Sequence, residues 1–326
     1  MTNLNRKIIW AVLFGLAVTI AVTFLADFRT TVEALGKFKA VYLPLILGLT
    51  FGNYLLRFGK WQFFLKQLNI DIRVWDSFVI FLSGLAMTVT PGKAGELLKS
   101  LLLKELKGVA VSRTAPVVFA ERLSDGFGLL ILSLTGVAMF SHGKEILLAV
   151  ALVMIAMVLV IKIPRLSGLL VRLCSRIPVA RRFTGVFETL FQSAGELMTF
   201  KSLLFTITIS VVSWGFESVA FYFVFTGLGY EISLAAATFT LAFSSIVGSL
   251  SMLPGGLGAA EGSIMGLLVK VVGVPSGTAA VATILIRFCT LWFGVAVGLL
   301  AIVSNRRLLG FVNRMGTAAE EKGAVQ

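Results

Sequence analysis

The chain has 326 residues, of which 57% are hydrophobic and only 14% charged, and its mean hydropathy is +0.96. That balance excludes an ordinary soluble domain and identifies an integral membrane protein. The net charge of +13 would point to nucleic acid in a soluble chain. Here the basic residues fall mostly in loops between apolar spans, where they set orientation and meet anionic headgroups at the cytoplasmic face, so no nucleic acid partner is expected.

In chain order, apolar spans fall at about 8–26, 40–57, 75–90, 114–139, 145–163, 200–228, 232–253 and 276–303. Several reach roughly 20 residues, the length needed to cross a bilayer core. The first follows Arg6 and Lys7, is longer than a signal-peptide core and has no clean small-x-small cleavage site. It reads as a retained helix. Two shorter segments, 94–107 and 257–272, each follow a Pro-Gly run. They are too short to cross alone and read as broken or re-entrant helices.

The segment 162–201 carries Lys162, Arg165, Arg172, Arg176, Arg181, Arg182 and Lys201 against Glu188 and Glu196. The positive-inside rule places it in the cytoplasm, together with Arg57, Lys60, Lys66 and Arg73 after the second span. Both can lie inside only if 94–107 changes sides. The expectation is therefore about ten segments in a multi-pass protein of the cell (inner) membrane, with both termini cytoplasmic. The stretch 164–199 has leucines and phenylalanines at helical spacing and reads as amphipathic helices broken at Pro178.

Cys174 and Cys289 lack metal-type spacing, and His142 is the only histidine. Metal-ligand and serine–histidine or cysteine–histidine chemistry is not expected. There is no P-loop, so no nucleotide-driven step is expected, and no cofactor.

The chemistry is concentrated in two matching interruptions, Pro91-Gly-Lys-Ala-Gly-Glu96 and Pro254-Gly-Gly-Leu-Gly-Ala-Ala-Glu261. Arg122 lies 26 residues after Glu96, and Arg287 lies 26 after Glu261. Gly108 and Gly273 each lie 12 past their glutamate. Over 96–128 against 261–293 there are seven identities in 33 positions. The expected architecture is an all-α polytopic membrane protein forming one integral domain over 1–326. It comprises a repeat at about 40–140, a cytoplasmic connector at about 164–199 and a second repeat at about 200–304, related by inversion.

A charged side chain at the centre of a membrane helix costs roughly 2.5–3.5 kcal/mol on insertion scales. Glu121, Arg122, Asp125, Glu217, Glu261 and Arg287 must therefore face protein, water or one another. Arg122 can pair with Asp125 three residues on. Thr290 stands where Asp125 does in the second half, so Arg287 needs a partner elsewhere, Glu261 or Glu217. Helices starting after Pro91-Gly92 and Pro254-Gly255-Gly256 present unpaired N–H groups that favour a phosphate or carboxylate, with Lys93, Lys99 and the arginines adding charge. The candidate substrate-binding set is Lys93, Glu96, Lys99, Glu121, Arg122, Asp125, Glu217, Gly255, Gly256, Glu261 and Arg287. The packing alternative, in which these residues only bridge helices, stays open.

The PGxxGE run, Glu121-Arg122-x-x-Asp125 and the LPGGLGxxE run resemble the membrane region of the lysylphosphatidylglycerol synthases, the flippase-like integral membrane family. The resemblance covers about residues 5–310. It implies movement of a lipid headgroup between leaflets, without the aminoacyl-transfer domain of the full synthases. The expected function is translocation of an anionic or zwitterionic lipid, of phospholipid or polyprenyl-phosphate type. A membrane-embedded lipid-modifying transferase and an accessory subunit of a lipid or glycan synthase are the alternatives. The sequence leaves homo-oligomerisation open.

Overall fold

The computed structural model describes residues 28–89, 96–140, 144–175, 184–305 and 310. The first apolar span, the Pro91–Gly95 run with Lys93, the His142 loop, the Pro178 break and the basic tail after 305 lie outside the described residues. All secondary structure among the described residues is helical.

The helices are α1 (Phe28–Gly36), α2 (Leu43–Gln67), α3 (Val74–Leu85), α4 (Leu98–Lys107), α5 (Val111–Phe140), α6 (Lys144–Lys162), α7 (Pro164–Ser175) and α8 (Thr184–Leu197). They continue as α9 (Phe200–Gly227), α10 (Leu234–Leu250), α11 (Ala259–Leu267), α12 (Ser276–Arg287) and α13 (Phe293–Ser304). A π-helical turn, Leu268–Val272, extends α11, and another, Phe288–Trp292, joins α12 to α13. Among the described residues, five segments are long and apolar enough to cross a membrane: Ala40–Gln67, Lys144–Lys162, Phe200–Gly227, Pro254–Val272 and Ser276–Ser304. Helix α5 has 30 residues, about 45 Å at 1.5 Å per residue, and its charges are turned into protein. Helix α4, with 10 residues, is about 15 Å long, half of a ~30 Å hydrocarbon core.

The long helices α2, α5 and α9 form the centre, with α9 packed lengthwise against both others. Helix α10 packs on α5, α13 on α3, α1 on α12 and α8 on α5. The outside of α6 presents Leu148, Leu152, Val153 and Leu159. A contiguous apolar exterior of that kind faces lipid rather than water.

Helices in lipid gain little from hydrophobic exclusion, so close packing must supply the attraction. At Gly128 of α5 a Cβ would stand 2.8 Å from the Ser210 Cβ of α9. At Gly298 of α13 it would stand 2.3 Å from the Ala86 backbone nitrogen just beyond α3. The described parts of the connector, α7 and α8, are helical, as its pattern predicts. Helix α8 buries Ser193, Ala194 and Leu197, and it packs on α5.

One part of the charge reading is corrected. Arg57 and Lys60 do not follow the second span in a loop. They lie inside α2, which continues to Gln67, and both are buried, Lys60 completely. The apolar run ends at residue 57 in sequence, but the helix carries on because its polar side chains find partners on α5 and α9. Lys66 and Arg73 are exposed, as a membrane-edge position requires.

Gly298→Ala is expected to cost about 1–3 kcal/mol, because the added methyl meets backbone that cannot rotate away. Gly262→Ala, with nothing within 4 Å of its Cβ position, is the control. A melting temperature in detergent that falls for the first and holds for the second checks the packing. Equal values would contradict it.

Candidate functional site

Two polar stripes build the site. On α2, Thr50, Asn53, Arg57 and Lys60 share one face; on α9, Ser202, Thr206, Ser210, Ser213 and Glu217 share another, and all are buried. Their spacings of three and four residues put each set on one side of its helix. The stripes face each other: Asn53 Nδ2 donates to the Ser213 carbonyl at 2.8 Å, Lys60 Nζ to Ser210 Oγ at 2.8 Å, and Ser202 Oγ to Gln67 Oε1 at 3.0 Å.

Helix α5 completes the cluster. Asp125 accepts from Lys60 Nζ, lies 3.6 Å from Arg57 Nη2, and lies 3.8 Å from Arg122 Nη1 through its other oxygen. Lys60 also reaches Ser124 Oγ at 3.1 Å. Arg122 Nη2 makes its closer ion pair, 2.8 Å, with Glu96 Oε2 just before α4. Lys99 pairs with Glu121, its ammonium 4.6 Å from the Trp61 ring centre.

The second half repeats the acid–base pairing. Arg287 Nε donates to Glu261 Oε1 at 2.5 Å, and Arg287 Nη2 donates to the Gly255 carbonyl at 2.7 Å. Arg287 thus chooses Glu261 of its two possible partners. The matched glycines do the same work in both halves: Gly108 (φ 70°) ends α4 and Gly273 (φ 82°) ends the π turn after α11, both left-handed. A side chain there would be strained, which accounts for glycine at both places.

The second helix start is partly met by a side chain of its own. Pro254–Gly256 forms a 3₁₀ turn, and α11 begins at Ala259. Glu261 Oε2 accepts from the Gly258 N–H at 2.7 Å. The helix is capped by its own third residue, which leaves that amide unavailable to a ligand. The corresponding start at Pro91–Gly95 lies outside the described residues.

The groups open to a ligand are instead arginines around two connected cavities. An inner cavity of about 110 Å³ has room for several waters, each needing about 10–15 Å³. Its charged lining is Arg57, Arg122, Arg287 and Glu217, with Tyr54, Trp214, Gly255 and Gly256 beside them. A lateral groove of about 610 Å³ runs between α5, α6 and α10. Its walls are apolar, including Val118, Phe119, Val150, Met154, Met157 and Leu250, and its inner end is Glu96, Arg122 and Asp125. Arg122, Trp214 and Ser249 line both spaces.

Buried hydrogen-bond donors without an acceptor are rare and call for an explanation. Among the described residues Arg57 Nε, Gln62 Nε2, Arg122 Nε and Trp214 Nε1 are such donors. Arg57, Arg122 and Trp214 line the inner cavity. Glu217, 6% exposed, has neither a hydrogen bond nor an ion pair to any described residue. An oxygen-rich anion at the cavity would satisfy the donors there, with bidentate geometry available at each guanidinium.

The sequence-derived set divides on this geometry. Glu96, Arg122, Asp125, Glu217, Gly255, Gly256 and Arg287 line one cavity or the other. Glu261 holds Arg287 from behind. Lys99 and Glu121 line neither and form a closed pair, 4% and 2% exposed at their side chains. Arg57, Lys60, Tyr54 and Trp214 were missed. The period of Thr50, Asn53, Arg57 and Lys60 was the available signal, because a polar stripe continuing an apolar span at helical spacing marks a buried face rather than a loop.

Removing one partner of a buried ion pair costs about 3–5 kcal/mol, while replacing both with apolar groups is often neutral. Glu121→Leu alone is expected to lower thermal stability strongly. Lys99→Met with Glu121→Leu is expected to restore it. A double variant that melts as low as Glu121→Leu alone would contradict the closed pair.

Comparison with known proteins bears on which lineage carries this site. A UPF0104 membrane protein of Methanothermobacter thermautotrophicus is 26% identical over 296 residues, covering 83% of this chain and 87% of that protein. One from Pyrococcus horikoshii is 23% identical over 330 residues, covering 91% and 97%. A UPF0104 protein of Methanocaldococcus jannaschii is 21% identical over 270 residues, covering 76% and 80%. Residues 12–298 match the lysylphosphatidylglycerol synthase TM region, a span that takes in every residue of both cavities. The chain therefore belongs to the lysylphosphatidylglycerol synthase TM region family.

Proposed function

We propose that this protein is a lipid translocase that moves an anionic or zwitterionic lipid between leaflets of the cell membrane. The observation that carries the reading is the position of Arg122. Its guanidinium stands where an apolar groove of about 610 Å³ meets an inner cavity edged by Arg57 and Arg287. A lipid has the same division: a charged headgroup for the arginines and acyl chains for the groove. The groove volume falls in the range of about 300–1,000 Å³ typical of small-molecule sites. Because α6 forms one wall and faces lipid on its other side, chains in the groove stay close to the bilayer.

The two halves are read as inverted repeats, with both termini cytoplasmic. The packing supports a two-fold relation between the halves. Exchanging α1–α5 with α8–α12 and α13, in order, turns the α3–α13 contact into α10–α5, and turns α1–α12 into α8–α5. All four contacts are present, and α2 and α9, which exchange with each other, pack together. Such a pseudo-two-fold lets one half rock against the other around a central site. The exposed Lys66 and Arg73 and the basic connector still favour a cytoplasmic face there.

Purified protein in phosphatidylcholine liposomes is expected to move fluorescent phosphatidylglycerol between leaflets, read by dithionite quenching. Arg122→Ala is expected to slow this about tenfold or more while the protein stays folded, since it removes a charged contact to the headgroup. Movement no faster than in protein-free liposomes would overturn the reading. Turnover of a donor into a modified lipid would favour the transferase instead.

Ala115→Trp fills the groove from α5 without touching the arginines. It is expected to slow movement several-fold while binding of a short-chain phosphatidylglycerol persists. Unchanged movement would show that the acyl chains take another route.

A further inference from the structure

Among the described residues, five cations and five acids make up the central charged cluster, with Arg122 and Arg287 half-buried and the other eight buried. The cations are Arg57, Lys60, Lys99, Arg122 and Arg287; the acids are Glu96, Glu121, Asp125, Glu217 and Glu261. With every group ionised the cluster is neutral. Four of the acids are held: Glu96 by Arg122, Glu121 by Lys99, Asp125 by Lys60, and Glu261 by Arg287. Glu217 is the buried acid that no described group holds.

The surroundings of Glu217 can be named element by element. From α2 it faces Tyr54 and Arg57, and from α5 the Asp125 charge acts on it, with Arg122 lining the same cavity. From α12 comes Arg287, backed by Glu261 of α11, with Thr290 beyond it in the π turn. From α10 come the hydroxyls of Ser244, Ser245 and Ser249. Two of the three guanidiniums that would receive a headgroup phosphate, Arg57 and Arg287, are thus the ones whose charge acts on the Glu217 carboxylate.

Resting on the translocase reading, we propose that Glu217 is a proton-binding site coupled to the headgroup site, so that an anionic lipid and a proton cross together. A phosphodiester entering the inner cavity adds one negative charge to a neutral cluster in a low-dielectric interior. The excess is costly there, and a buried group relieves it by changing protonation. The held acids are the poorer candidates, because a proton on any of them would leave its cation uncompensated. A proton delivered from bulk solution as hydronium through the cavity water bonds to one Glu217 carboxylate oxygen and leaves water behind, and no covalent bond of the lipid changes. Arg57, the cation left over from the four held pairs, then balances the phosphate in place of Glu217, and the loaded site is neutral again. Linkage makes the coupling reciprocal: a protonated Glu217 strengthens anion binding by the same factor. Neutral passage also leaves the movement insensitive to membrane potential.

The test uses fluorescent phosphatidylglycerol in phosphatidylcholine proteoliposomes with a gradient of one pH unit, acid outside. Wild type is expected to concentrate the probe in the inner leaflet, by up to about tenfold per pH unit for one proton per lipid. A valinomycin potential should not alter the distribution. Glu217→Gln is expected to lose the asymmetry whatever its rate, and Glu217→Asp to regain part of it. Rapid movement by wild type to an even distribution overturns the coupling and leaves the translocase reading standing. Gradient-driven accumulation by Glu217→Gln overturns the assignment to this residue. If wild type moves no lipid, the translocase reading fails, and a second measurement decides the proton site. Dihexanoyl phosphatidylglycerol is added to weakly buffered protein in detergent with a pH indicator dye. Uptake of up to about one proton per lipid bound by wild type and by Glu217→Asp, and none by Glu217→Gln, supports the linkage. Absence of uptake by wild type overturns it.

Discussion

Asp125 takes three cations, Arg57, Lys60 and Arg122, in a place where none of them could stand alone. Each is costly in hydrocarbon and tolerable only in company. This requirement fixes the centre of the molecule. Helices α2, α5 and α9 must lie side by side, in one register, for the ammonium of Lys60 to reach Asp125, Ser124 and Ser210 together. The glycine approach at Gly128 is part of the same constraint, since a larger residue would hold α5 off the serines of α9. The outer helices then close over a core whose polarity is already satisfied.

Within that core, holding and working are done by different charges. Lys60, Lys99 and Glu121 are enclosed and reach no cavity; they keep helices together. Arg57, Arg122, Arg287 and Glu217 border open space, and donors on Arg57, Arg122 and Trp214 remain unspent. A cluster built only for packing would have no reason to leave strong donors unsatisfied beside a cavity. The anchors behind them, Glu96 and Glu261, fix the arginines in place without closing them off, because each guanidinium has more donors than its carboxylate can use.

The second Pro-Gly interruption positions an arginine. Gly255, Gly256 and Gly258 all take positive φ there, which brings the Gly255 carbonyl to Arg287 and the Gly258 amide to Glu261. The loop clamps the arginine from one side while its glutamate clamps it from the other. The motif therefore matters to the site through the orientation of a guanidinium.

The sequence by itself determined the membrane class, the helical content, most of the spans, and which acids and bases recur at equal spacing. Hydrophobic length and the rarity of charge in apolar runs are local properties, and equal spacing of Glu96 with Arg122 and Glu261 with Arg287 can be read along the chain. The family's motifs are legible for the same reason. Only the tertiary structure decided that α2 runs on through Arg57 and Lys60, because a charge in a helix and a charge in a loop look alike until the partners on α5 and α9 are seen. It also decided that Lys99 with Glu121 is closed off while Arg57 is open, that Glu261 caps its own helix, and that Glu217 shares a cavity with three arginines without pairing to any. These are distances between residues up to 160 apart in sequence, such as Asn53 and Ser213, and no periodicity along one helix encodes which cavity two others will leave between them.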